Sequence, residues 1–241
     1  MIEADKKSIF ESVCGMYVRR ALRSHFAAIH LLGHLGLEGR DAKLPTIIYA
    51  NHSNWWDGLV AFYLSHYVWH LDSFLMMDIR QMETYSFFRW IGAFSVDRTS
   101  PREGVRSIEY AASLLTHPRQ TLWMYPQGEM LHNDIRPFSF QSGIARIVQK
   151  AGPVNVIPLS MRYEFLSEQR PEVFLHIGKS RVAGPKIGNP NSFIDSLRIE
   201  LTTNLDALHS SLVRKEMGEP KTILVGKQSR NKTVDFLKRG A

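Results

Sequence analysis

Short apolar runs alternate with longer stretches of helical periodicity along most of this chain, and that alternation limits the possible folds more than any other feature. Residues 46–50 (TIIYA), 73–77 (SFLMM), 93–96 (AFSV), 121–125 (TLWMY), 154–161 (VNVIPLSM) and 173–178 (VFLHIG) read as strands. Between them, 57–69, 79–90, 102–116 and 141–151 read as helices. A longer helix near 192–216 puts Phe193, Leu197, Leu201, Leu205, Leu208 and Leu212 on one face. Parallel strands need crossover connections of this length, so the expected fold is α/β: a single domain with a mostly parallel central sheet flanked by helices. The 241 residues are enough to bury one such core.

The first forty residues have a different character. Ile9, Phe10, Val13, Met16 and Tyr17 recur at helical spacing, as do Leu22, Phe26, Ile29, Leu32 and Leu35, with Arg19, Arg20, Arg23 and His25 beside them. Two readings fit. Amphipathic helices can lie in the headgroup region of an anionic membrane, or they can pack on the domain and solvate a charged face. Gly36, Gly39 and Pro45 then mark a break. The expected layout is an N-terminal amphipathic, membrane-facing helical segment (1–40), the α/β domain (41–218) and a basic C-terminal tail (219–241). No run reaches the ~20 apolar residues of a spanning helix, and no long apolar signal core follows the first charges. The net charge of +7 favours an anionic partner, and the single cysteine, Cys14, leaves no internal disulfide framework.

Ligands of open α/β sheets sit beyond the carboxyl ends of the strands. Three polar clusters fall there: NHSNWWD (51–57), DRTSPR (97–102) and PQGE (126–129). His52 and Asp57 stand about 140° apart on a continuous helix, so they meet only if His52 stays in the loop and Asp57 opens the next helix. Asp57 then fixes the imidazole tautomer and leaves the other nitrogen as a base. The alternative makes Asp57 a helix N-cap and Asn51 a turn residue. Arg98 suits a substrate phosphate or carboxylate, or else a salt bridge with Asp97. Pro126 and Gly128 force a turn whose N–H groups can face an oxyanion. His30/His34 and His66/His70 lack the carboxylate of a His-Glu-x-x-His site, so no metal site is expected. No Gly-x-Ser-x-Gly elbow or phosphate-binding Gly-Lys loop is present, which argues against a serine hydrolase and a nucleoside triphosphatase.

Asn51-His52 with Asp57, then Gly92 and Asp97-Arg98 in IGAFSVDR, then YPQG, then Pro158 in NVIPLSM, resemble in order the four blocks of the glycerolipid (lysophospholipid) acyltransferase superfamily, over roughly residues 45–165. The resemblance implies a glycerol-3-phosphate acyltransferase-like fold. It also implies an O-acyltransferase in which His52, supported by Asp57, deprotonates a lipid hydroxyl that attacks acyl-CoA or acyl carrier protein. It places Gly128 beside the oxyanion and Arg98 on the acceptor, with Asn51, Gln127, Glu129 and Arg136 as further substrate contacts. The donor is a co-substrate; no cofactor or metal is implied. The expected partners are the donor, a lipid acceptor and a membrane surface, not nucleic acid, and the expected location is the cytoplasmic face of a membrane, peripheral or monotopic. The third block departs from the usual Phe-Pro-Glu-Gly-Thr-Arg, reading Tyr125-Pro-Gln-Gly-Glu-Met130, and the downstream Phe-Lys-x-Gly is Phe140-Gln-Ser-Gly143. Two cations associated with an acceptor phosphate are therefore neutral, which points to a less anionic acceptor such as a glycolipid or another lipid alcohol. His132 and Arg136 are the candidates for compensation. A non-catalytic lipid- or partner-binding protein on the same fold is the alternative.

Overall fold

The computed structural model describes residues 1–34 and 37–227; Leu35, Gly36 and residues 228–241 of the expected basic tail lie outside the described residues. Along the chain, α1 (Ser8–His25) leads into β1 (Ala28–Gly33), β2 (Thr46–Ala50), α2 (Asp57–Tyr63), β3 (Asp72–Asp78), α3 (Ile79–Thr84) and β4 (Ala93–Val96). There follow α4 (Pro101–Ser113), β5 (Gln120–Met124), α5 (Gly143–Ala151), β6 (Val154–Glu164), β7 (Glu172–Ile177), β8 (Arg181–Ala183), α6 (Pro190–Arg214) and β9 (Lys221–Val225). The strands form one sheet in the order β4-β3-β5-β2-β6-β7-β1-β9, with β8 pairing β6. The run from β4 to β6 is parallel throughout. The antiparallel pairs are β6–β7, β6–β8 and β1–β9.

Both faces are covered at the centre of the sheet, so β2 and most of β5 and β6 are buried along their length rather than alternating. On one face, Val18 and Leu22 of α1 and Leu59 to Tyr63 of α2 pack on Ile48, Ile157 and Leu175. On the other, Ala111, Ile144, Ile147, Leu197 and Leu201 of α4, α5 and α6 pack on Ile47, Tyr49 and Val156. Helix starts follow local chemistry. Ser100 accepts the Glu103 N–H ahead of α4, and Asn189 accepts the Asn191 and Ser192 N–H groups ahead of α6, each with Pro in the first turn.

Local structure departs from the expected elements in four places. Residues 28–33 are a strand, not a continuation of the N-terminal helix. Phe26, Ile29 and Leu32 have helical spacing, but β1 is buried on both faces between β7 and β9, and such a run carries no period that separates helix from strand. Residues 221–225 are likewise part of the sheet rather than of a tail. The boundaries expected at 40/41 and 218/219 therefore cut across one sheet. Residues 1–7 are not helical either; they run beside the edge strand β4, where the Ser95 N–H donates to the Ile2 carbonyl (2.9 Å) and the Ile2 N–H to Ser95 Oγ (2.6 Å). The expected helix 79–90 is broken at Tyr85 into α3 and a 3₁₀ turn, Ser86–Ile91. No helix among the described residues is long and apolar enough to cross a membrane.

Because α1 is built into the core, Leu22→Ala should destabilise the whole domain by about 2–5 kcal/mol in denaturant unfolding. A change near zero would show that α1 is not part of the cooperative unit.

Candidate active site

The site begins where β2 ends. Asn51 is 1% exposed and its amide is fully engaged. Its Oδ1 accepts the Met161 N–H (2.8 Å), and its Nδ2 donates to the Met161 carbonyl (2.9 Å) and to Asn133 Oδ1 (2.8 Å). These polar atoms tie the end of β2 to β6 and to the loop before α5.

With Asn51 fixed, His52 stays in the loop and Asp57 opens α2, the arrangement that brings the two together. His52 Nδ1–H donates to Asp57 Oδ2 at 2.8 Å. The same oxygen accepts the N–H groups of Ser53 (2.8 Å) and Asn54 (2.9 Å), so Asp57 folds back over its own loop instead of capping α2. Its other oxygen accepts the Tyr163 hydroxyl at 2.6 Å. The side chain of Asp57 has no solvent exposure, whereas that of His52 is 22% exposed. A buried carboxylate must find donors from the protein, and here four converge on it. Burial, and after it the negative charge of Asp57, pushes the Tyr163 phenol well above its ordinary value, so Tyr163 remains a proton donor. The Phe26 ring, just past α1, packs on both Tyr163 (5.7 Å between centroids) and Trp56 (5.3 Å), closing the apolar side of this cluster. Tyr163 has no motif signal, since its position on β6 becomes meaningful only once β6 is paired with β2.

The loop after β5 supplies the other wall. Tyr125 stacks on the His52 imidazole, with centroids 4.5 Å apart and planes at 22°. Gln127 is buried, and its Oε1 accepts the His52 backbone N–H at 2.6 Å, while the Leu131 N–H donates to the His52 carbonyl at 2.8 Å. Gln127 thus positions the histidine's backbone. It keeps the acceptor oxygen that a glutamate would offer and drops the charge.

Gly128 is in the left-handed region (φ +77°), and a methyl group on it would come within 2.6 Å of Arg98 Nη1. Its N–H already donates to the Tyr125 carbonyl at 3.0 Å. That N–H is engaged in the turn. What Gly128 provides is space for the Arg98 guanidinium.

Arg98 does reach the third loop, but its ion-pair partner is Asp78 (3.4 Å) rather than Asp97, which accepts from the Thr99 N–H and hydroxyl. Burial raises the Asp78 carboxyl, yet hydrogen bonds from Arg80 and Arg98 outweigh it and hold the group below its ordinary value. Arg136 is committed elsewhere: it pairs with Asp206 of α6, donates to the Asn133 (2.6 Å) and Ile135 (2.8 Å) carbonyls, and lies over Phe138. His132 is exposed and sits 3.9 Å from Asp134, and Glu129 is exposed without an ion-pair partner among the described residues. Gln141, where the family pattern has lysine, stands against Gly128. The His30/His34 spacing loses its helical premise, since His30 lies in β1 and hydrogen-bonds Glu172 (3.0 Å) and Thr222 (3.1 Å).

A histidine hydrogen-bonded to a buried carboxylate stands at a strand end of a mostly parallel sheet. The family model for Acyltransferase matches residues 34–162, more than half of the chain, and the chain belongs to that family. It is an acyltransferase. Among solved structures it is similar to the 1-acyl-sn-glycerophosphate (LPA) acyltransferase PlsC from Thermotoga maritima, with a TM-score of 0.61 at 15% identity over 83% of this chain and 80% of that one. That likeness confirms the mixed α/β fold with a central sheet flanked by helices. A search of curated proteins finds no match.

Tyr163→Phe keeps the ring and removes one donor from the buried carboxylate. It should lower stability by about 1.5–3 kcal/mol in denaturant unfolding. An unchanged stability would mean that the 2.6 Å contact contributes nothing.

Proposed function

We propose that the protein transfers a fatty acyl group from acyl-CoA or acyl carrier protein to the hydroxyl of a lipid, with His52 as general base and Asp57 as its orienter. The observation that carries this reading is the 2.8 Å hydrogen bond from His52 Nδ1 to a carboxylate sealed from solvent, on a ring whose Nε2 is left for substrate. In the reaction Nε2 takes the acceptor's hydroxyl proton as its oxygen bonds to the thioester carbonyl carbon. The tetrahedral intermediate then expels the thiolate, the carbon–sulfur bond breaks, and Nε2 returns the proton to sulfur. The products are an ester and a free thiol. Asp57 stabilises the transient imidazolium and keeps the tautomer that points Nε2 outward.

The acceptor is an uncharged or weakly anionic lipid hydroxyl, such as a lysophospholipid without a phosphomonoester, a glycolipid or another lipid alcohol. Support comes from the pairing of the nearby cations: Arg98 shares Asp78 with Arg80, Arg136 is held by Asp206, and Gln141 and Met130 stand where cations would. Each missing charge-assisted hydrogen bond removes about 1.5–3 kcal/mol from phosphate binding. Exposed Trp55 and Met130, from two of the loops that carry the site, suit an apolar acceptor. The protein acts at a membrane surface on the cytoplasmic side. On α1, Ile9 (81% exposed), Val13, Met16 and Tyr17 face outward while Val18 and Leu22 face the core.

His52→Ala should reduce turnover by about 10²- to 10⁴-fold and leave the unfolding transition in place. Full activity in that variant would refute the base. In a competition assay, uncharged lipid alcohols should be acylated in preference to lysophosphatidic acid; the reverse preference would overturn the acceptor assignment.

A further inference from the structure

Between α1, the turn after α2 and the end of β9 lies a pocket of about 480 Å³, within the ~300–1,000 Å³ of small-molecule sites. Arg19, Arg20, Arg23 and Lys227 line it with Ser24 and Tyr67. Among the described residues no carboxylate lines it, and none of the four cations has an ion-pair partner.

The cluster is assembled by the fold. The Gly226 N–H donates to the Ala27 carbonyl (2.8 Å) and the Lys227 N–H to the Arg23 carbonyl (3.0 Å), which fixes Lys227 against the end of α1. Gly226 permits this approach, because a Cβ there would collide with the Phe26 carbonyl oxygen. The Arg19 guanidinium lies over the Tyr67 ring at 5.6 Å. A cation in the last turn of a helix is explained by the helix dipole, and Arg23 qualifies. Arg19 and Arg20 stand before that turn, and four like charges around one cavity repel unless an anion joins them.

We propose that this pocket binds a phosphate ester carried by an amphiphile. Three guanidinium forks, an ammonium and a hydroxyl match the several oxygens of a phosphate, and Arg is the side chain best shaped for bidentate contact with it. The amphiphile is indicated by Met16 at the pocket's rim, which continues into the exposed stripe of Ile9, Val13 and Tyr17. The pocket also adjoins the active edge, since Phe26, three residues beyond Arg23, packs on Trp56 and Tyr163. Two sources present such a group here: the headgroup of an anionic phospholipid and the phosphates of the acyl donor. The lipid source rests on the membrane-facing reading of α1.

The test compares Arg19→Gln/Arg20→Gln/Arg23→Gln with a control of equal charge loss, Arg146→Gln/Lys179→Gln/Lys186→Gln, at exposed cations outside the pocket. All six positions are exposed, so both variants keep the core. Binding is measured to vesicles of phosphatidylglycerol and phosphatidylcholine by sedimentation, and to free coenzyme A by calorimetry. The arginine variant should lose about tenfold or more in affinity, some 1.4 kcal/mol, for at least one of these ligands, while the control changes far less. A selective loss for vesicles assigns the lipid headgroup, and one for coenzyme A assigns the donor. Equal losses in both variants, or none in either, overturn the site. Both readouts are binding without turnover, so a failure of the acyl-transfer mechanism leaves the result intact. Ile9→Ser/Val13→Ser tests the membrane face separately: release of this variant from vesicles that the arginine variant still binds like the control would keep the membrane face and overturn the lipid source.

Discussion

The active edge depends on one buried carboxylate. Asp57 is removed from water, and leaving an ion there without partners would cost several kcal/mol. The chain satisfies it with two N–H groups of its own loop, one imidazole and one phenol from β6. Each donor fixes something useful: the N–H groups set the loop, the imidazole acquires its tautomer, and the phenol ties α2 to β6. The parallel register of β2 with β6 makes this possible. It pairs Ala50 with Leu159, so β6 runs past the end of β2 and carries Tyr163 to the level of Asp57.

The third loop works by backbone and by space more than by charge. Gln127 and Leu131 hold the two peptide groups of His52, Tyr125 covers its ring, and Gly128 leaves room for Arg98. The charges that surround this frame are mostly neutralised in pairs. Arg162, for example, is held between Asp134 (2.9 Å) and Glu164 (2.7 Å), which ties the loop before α5 to β6.

Much of this was legible in the sequence because its signals are local. Strands β2 and β4 fall where TIIYA and AFSV place them, and the meeting of His52 with Asp57 follows from a loop that ends at a helix start. The expected α/β class holds for the same reason. What escaped is non-local. Strand β1 has no period, since both its faces are covered, and β9 is a strand only because β1 offers it an edge. Tyr163 lies 106 residues from Asp57, and no spacing rule links them. Asn51, in its motif, and Arg136, in the loop after the third block, have partners, Met161 and Asp206, that lie far along the chain. For Gly128 the turn was foreseen and its closeness to Arg98 was not, because a glycine's missing side chain matters only against a neighbour.

The way His52 is held separates form from chemistry within a single residue. Its N–H and carbonyl are fastened by Gln127 and Leu131, while Asp57 closes the loop through Ser53 and Asn54 without needing the imidazole. The scaffold of the loop therefore does not depend on the ring that would perform catalysis. Asp57 has no such independence, because its carboxylate is both the ring's partner and the loop's clasp. Replacing the His52 ring would therefore leave the frame of the loop standing, with the residue's N–H and carbonyl still fastened and Asp57 still clasping Ser53 and Asn54.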